Sequence, residues 1–364
     1  MLFLNNRDVA AVLDMRGCLA ALEQGYRDAD GGDATFIPRI DLYAPTGRTE
    51  DYYRWGSMTG VCRSFGVLAC RIKSDVVSWP DGRTEEKYCV RPGLYSGIIL
   101  LYALADGRPL ALMHDGYLQH MRTGGSAGLG ADALARRDAR TLGMLGSGGM
   151  ARTFLEAIAA VRPLGAVRVY SPTPAHRERL AAEMSHQLGI AVEAVASARE
   201  AVVGADIVAT ATDAMHQTFD PAWLAPGAHV TCVTRREVNE ALLARANVVV
   251  QLGLDTVPAG TPVPGMEWRR GGIAAFIAGT AAERARIPPG RGAAPERPAD
   301  ASLADLRAGR HPGRTRADEI TLFLNTGTQG LQFAAVGGHV LQRAREEGLG
   351  TDVPDAWFLE DIRD

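Results

Sequence analysis

The run Gly146-Ser147-Gly148-Gly149-Met150-Ala151 has the residue types and spacing to hold a phosphate. An apolar stretch at 142–145 leads into it. Helical spacing follows at Phe154, Leu155, Ile158 and Val161, and a β-like run at 166–170 closes the unit. Strand, glycine turn, helix and strand within about thirty residues is the pattern of a dinucleotide-binding βαβ unit. Gly146 permits the tight turn, Gly148 lets backbone approach a pyrophosphate, and Ala151 lets the helix pack closely on the sheet. The free N–H groups of the helix start, at Gly149 and Met150, face the anion. The alternative is a glycine turn with no ligand.

The next strand tip bears on the choice of dinucleotide. An acid there would grip the ribose hydroxyls of NAD, whereas an arginine would accept the 2′-phosphate of NADP. The tip reads Tyr170-Ser171-Pro172-Thr173-Pro174 with Arg177 behind it, and it carries no acid. Ser171, Thr173 and Arg177 therefore favour NADP(H), with NAD(H) the alternative. Arg177 could instead open a solvated helix.

A second chemical candidate is Lys73, in VLACRIKSDVV. Strand alternation puts Arg71, Lys73 and Asp75 on one face and Leu68, Cys70 and Ile72 on the other. A lysine facing a partly buried cleft loses basicity and can transfer protons. The same residue could instead protect an edge strand from aggregation. Arg122, in LQHMRTGGSAG, could clamp a carboxylate through two parallel hydrogen bonds. Thr123 and Gly124 follow it and read as a helix start near the cofactor.

The elements that must position these groups make an α/β chain. Its 364 residues suggest two domains. Thirty-nine basic against 42 acidic side chains leave a net charge of −3, which gives no electrostatic case for nucleic acid or a membrane surface. Five scattered cysteines form no CxxC pair and the histidines no HxxxH pair, so neither a disulfide framework nor a metal site is indicated. The N-terminus lacks the pattern of a secretory signal, and a cytoplasmic location is expected. Helical spacing covers 8–29 and 115–137. A β-like region spans 36–113. From 141 onward strands and helices alternate, which predicts a doubly wound parallel sheet with helices on both faces. Residues 319–324 read as a strand and 329–347 as a long helix. The Pro/Gly/Arg-rich stretch 286–300 reads as a surface loop.

RIKSD at 71–75, the long block 115–158, AREAVVGADIVATAT at 198–212 and ADEITLFLNTG at 317–327 together resemble the ornithine cyclodeaminase/μ-crystallin family over nearly the full length. The resemblance implies a Rossmann domain, 126–317, inserted in a discontinuous α+β domain, 1–125 plus 318–364, that carries substrate and homodimer contacts. It implies nicotinamide chemistry at an amine or imine carbon. It places Lys73 and Arg122 in the active site and Arg39 and Ser96 on the substrate side. Thr123, Gly149, Met150, Thr210, Thr212, Val233 and Gly327 complete the candidate cofactor contacts.

One segment departs from that pattern. After the strand ending at Val233, the family's cyclodeaminases carry an aspartate that engages the substrate's side-chain amine. Here the chain reads TRREVNE, with Arg235 or Arg236 at that place and Glu237 the nearest carboxylate. Two like charges 4 Å apart cost about 4 kcal/mol at a surface-like dielectric, so a cationic diamine is disfavoured. An acidic or neutral substrate fits better, or one whose second carboxylate meets Arg235 or Arg236, unless the arginines merely face solvent. The sequence thus points to an NAD(P)-dependent oxidoreductase acting on the CH–NH or C=N bond of a small amino or imino acid. The rivals are a cyclodeaminase-type lyase that recycles NAD, and a non-catalytic nucleotide-dependent binding protein.

Overall fold

The computed structural model describes residues 1–253, 266–269, 273–288 and 297–362. Most of the expected loop at 286–300 (289–296) lies outside the described residues. Two sheets organise the chain. The second is wholly parallel and runs Ala191–Ala194, Ala166–Tyr170, Thr141–Leu145, Ile207–Thr210, His229–Cys232, Thr321–Leu324, Val248–Gln251, Ala301–Ser302. Four of its inner strands are buried along their whole length, as both-face coverage by helices requires. Strand order reverses between Thr141–Leu145 and Ile207–Thr210, so a crevice opens above their carboxyl ends. The doubly wound fold read from the sequence is present.

The first sheet is mixed. Its path runs Met266–Arg269, Ile273–Ile277, Ile40–Pro45, Asp51–Cys62, Val67–Ser78, Gly97–Ala103, Pro109–His114, Leu2–Leu4, Thr351–Asp352. Sheet membership departs from the expected domain limits, with Met266–Arg269, Ile273–Ile277 and Thr321–Leu324 each in the sheet of the other domain. Thr321–Leu324 sits inside the parallel sheet because its four apolar or small residues are buried on both faces. Ile273–Ile277 instead extends the mixed sheet, parallel to Ile40–Pro45.

Two corrections concern helices. The spacing at 8–29 forms two helices, Asn6–Val12 and Met15–Gly31. The side chain of Asp14 accepts from the Gly17 N–H at 2.7 Å and starts the second afresh. Thr123 and Gly124 are not a helix start, since they lie midway along Gly116–Leu134. The small residues there serve packing. A side chain at Gly124 would strike the Thr153 backbone, and one at Gly128 would come within 2.8 Å of the Ala157 Cβ. Helix Gly116–Leu134 thus lies against helix Gly149–Val161 and ties the dinucleotide unit to Arg122. No helix among the described residues is long and apolar enough to cross a membrane.

Candidate active site

A cavity of about 610 Å³ lies between the two sheets. Strand Val67–Ser78 supplies one wall. Its residues alternate buried and half-buried, with Arg71, Lys73 and Asp75 on the buried face as the alternation predicts. It is not an edge strand: Asp51–Cys62 pairs along one side and Gly97–Ala103 and Glu86–Tyr88 along the other. That removes the anti-aggregation reading of Lys73.

Lys73 is the centre of a charged chain. Its Nζ donates to Asp75 Oδ2 at 2.9 Å, and Arg54 Nη2 reaches the same oxygen at 3.1 Å. Arg54 Nη1 also meets Glu85 Oε1 at 3.2 Å, and Arg236 Nη2 meets Glu85 Oε2 at 2.9 Å. Burial, then repulsion from Arg39 and Arg54, holds the Lys73 amine well below the ordinary lysine range. The other oxygen of Asp75, Oδ1, is buried and has no hydrogen-bond partner among the described residues. Gly56, directly across the ladder, leaves the room: a Cβ there would come within 2.7 Å of Lys73 Cε.

Arg122 is built differently. Its guanidinium donates to two neutral acceptors, Gln119 Oε1 at 2.7 Å and Gln332 Oε1 at 2.8 Å, and lies 4.9 Å from the centre of the Phe333 ring. Among the described residues no carboxylate is paired with it. Arg71 shares that ring at 5.5 Å but is bound to Asp115, with its Nε 2.6 Å from Oδ2. Burial and the Arg71 charge press Arg122 down to about 9. It remains a cation at neutral pH, and a desolvated cation without a counter-ion attracts an anion.

Arg39, Lys73, Arg122, Arg236, Thr123, Met150, Thr212 and Val233 all line the cavity, although the sequence scatters them over some two hundred positions. Arg39, however, holds Asp41 with two hydrogen bonds of 2.8 Å, so it is not an open clamp. Thr210 and Gly327 stand behind the wall. Gly327, in the left-handed region at φ 100°, packs on Gly253. Two expectations are corrected. Glu237 is fully buried away from the cavity, where its carboxylate accepts from Thr212 N at 3.0 Å and Thr212 Oγ1 at 2.7 Å and fastens two loops. Ser96 does not line the cavity; its neighbour Tyr95 does, with its hydroxyl on Arg71. The sequence reading missed Arg54, Asp41, Glu85 and Tyr95. The inward alternation of Asp51–Cys62 could have found Arg54, which lies opposite Asp75.

The glycine turn 146–149 adjoins this cavity. Gly146 adopts φ 114°, and a side chain on it would strike the Ala211 carbonyl, so glycine is required twice over. Above Gly148 there is open space, and no side chain caps helix Gly149–Val161, which leaves its first N–H groups for a ligand. At the neighbouring strand tip Ser147 Oγ donates to Ser171 Oγ at 2.9 Å. Arg177 lies over the Tyr170 ring at 5.7 Å and donates to the Ser171 carbonyl at 2.8 Å, which fixes it at the tip. Thr173 precedes helix Pro174–Leu188 with its hydroxyl making no capping bond.

The chain is similar to known proteins. A family model described as the ornithine cyclodeaminase/mu-crystallin family matches residues 78–345. An uncharacterized cyclodeaminase of Sinorhizobium fredii is 31% identical over 70% of this chain and 72% of its own. A Delta(1)-pyrroline-2-carboxylate reductase of Bacillus cereus is 28% identical over 71% and 74%. The structure of the Thermococcus litoralis Delta(1)-pyrroline-2-carboxylate reductase, in complex with NADH and L-proline, superposes with a TM-score of 0.74 at 26% identity, covering 97% of this chain and all of that one. With its glycine cradle, inward-facing Lys73 and family-model match over most of its length, the chain belongs to the ornithine cyclodeaminase/mu-crystallin family.

Proposed function

We propose that the protein is an NADP(H)-dependent oxidoreductase that interconverts a small imino acid and the corresponding amino acid. The observation that carries this is the placement of Lys73, buried and of lowered basicity, in one cavity with Met150, Thr212 and Val233 from the cofactor side. Relatives named Delta(1)-pyrroline-2-carboxylate reductase, one of them in complex with NADH and L-proline, support the oxidoreductase part of this reading.

The dinucleotide, when bound, supplies the hydride to the imine carbon. The uncapped start of helix Gly149–Val161 and the open space over Gly148 would hold its pyrophosphate. Arg122 holds the substrate carboxylate and fixes the C=N bond near Lys73. Lys73 gives a proton to the nitrogen as the carbon gains hydride, and takes it back in the oxidative direction. Asp75 orients the amine through Oδ2, and its unpartnered Oδ1 accepts the substrate N–H. Arg39 acts through its pair with Asp41. The test is a screen of the pure protein for NADPH consumption with cyclic imino acids and with 2-oxo acids plus amines. Consumption is expected with at least one imino acid; none with any would refute the reading.

For the cofactor, Arg177 at the strand tip is the 2′-phosphate contact, with Ser171 and the Thr173 hydroxyl beside it. NADPH should bind more tightly than NADH by fluorescence titration. Arg177→Ala should weaken NADPH about tenfold or more, the loss of one charge-assisted bond, and leave NADH unchanged. Equal affinities in the unaltered protein would contradict this.

For assembly, the outer face of the mixed sheet exposes Leu42, Tyr53 and Ile98. An apolar sheet face of this kind marks a protein interface, and a homodimer through it is the expected state. Light scattering should give twice the 38.8 kDa chain mass at micromolar concentration; a monomer mass would refute it.

A further inference from the structure

Among the described residues the cavity's charges do not balance: eight lining side chains are Lys or Arg and three are carboxylates. Each carboxylate is already engaged, Asp41 by Arg39, Asp75 by Lys73 and Arg54, and Glu85 by Arg54 and Arg236. None is left to meet a second ammonium group on a substrate. The cations tell the opposite story. Among the described residues Arg122 has only neutral acceptors, and Lys87 makes no hydrogen bond or salt bridge, although the Glu85 and Asp75 charges act on it. Arg54, buried between Asp75 and Glu85, also keeps its Nε as a buried donor with no partner among the described residues.

These groups stand in order along one strand face. Arg122 shares the Phe333 ring with Arg71, at one end. Lys73 follows two residues on. Lys87 is the ladder partner of Val77, so it shares a face with Lys73 and Asp75, four residues beyond Lys73 and roughly 13 Å along the backbone. Lys87 is itself exposed, which puts it at the mouth of the cavity.

We infer that the substrate is a dicarboxylic imino or amino acid, whose α-carboxylate goes to Arg122 and whose distal carboxylate is read by Lys87, with the Arg54 Nε behind it. This rests on the oxidoreductase reading for the reacting bond, but the charge pattern stands apart from it. Arg236, which the sequence offered for the second carboxylate, is spent on Glu85 and helps to hold Arg54 in place.

The test compares 2-oxoglutarate with 2-oxopentanoate, which has the same chain length but no distal carboxylate. Binding is measured by calorimetry on the NADP⁺-loaded protein, and turnover with ammonia and NADPH. The dicarboxylate should bind at least tenfold more tightly and show the higher kcat/KM. Lys87→Met should erase that preference, a loss of about 10- to 100-fold for one charge-assisted contact, while leaving 2-oxopentanoate unchanged. Lys87→Glu should reverse it. Lys87 is exposed, so neither variant should disturb folding, which circular dichroism checks. Equal affinity for the two acids in the unaltered protein, or a Lys87→Met variant that weakens both alike, would overturn the inference. A dicarboxylate preference in binding with no turnover of either acid would uphold it and count against the oxidoreductase reading. Turnover without preference would do the reverse.

Discussion

Lys73→Met should lower turnover by roughly 10²–10⁴, the usual contribution of a positioned general acid–base, while dinucleotide affinity stays unchanged. Methionine keeps the length and apolar body of the side chain but cannot carry the proton. The pH dependence should move with it. Lys73 is held well below the ordinary lysine value by burial and by Arg39 and Arg54. Imine reduction needs its protonated form, so that rate should fall as pH rises through the lowered value. Amine oxidation needs the neutral form and should rise over the same interval. In the variant both limbs should flatten. Wild-type turnover in Lys73→Met would leave the lysine a structural partner of Asp75 and nothing more.

The second large effect is expected at Arg122. Arg122→Met removes two or more charge-assisted bonds to the substrate carboxylate, so KM should rise by about 10² or more. A contact made equally in ground and transition states leaves kcat little changed. The same substitution removes a buried charge whose partners are neutral glutamine oxygens and whose neighbour is Arg71. Methionine ends the burial of a charge beside Arg71 but leaves two buried glutamine oxygens without their donor, about 1–3 kcal/mol each, so the two effects oppose and the melting temperature should shift by only a few degrees. A fall in stability with no change in KM would make Arg122 a packing residue.

Much of this was legible in the residues because two periodicities are strong here. The glycine turn with its flanking strand and helix gave the βαβ unit, and alternation about Lys73 gave the correct buried face. Pairing across the sheet was not legible. Arg54 becomes Asp75's partner only through the register of Asp51–Cys62, and Lys87 reaches the cavity only because Glu86–Tyr88 adds beside Val76–Ser78. Counting neighbours in sequence also misassigned Glu237. It lies one residue past Arg236, yet the short turn Arg235–Glu237 sends the two to opposite sides, Arg236 to the cavity and Glu237 into a buried clasp on Thr212. The small residues after Arg122 read as a helix start because small residues gather at turns. Here they are where two helices touch.

The central claim is that hydride passes to a C=N carbon held beside Lys73. NADPH deuterated at both C4 positions, incubated with the protein, 2-oxoglutarate and ammonia and analysed by mass spectrometry and NMR, tests it directly. The prediction is one deuterium on the α-carbon of the amino-acid product and one equivalent of NADP⁺ formed per product. Should the substrate panel be widened to cyclic imino acids and diamines, the contradicting result would be product formed with release of ammonia, no net NADP⁺ and no carbon-bound deuterium, the signature of a lyase that recycles its dinucleotide.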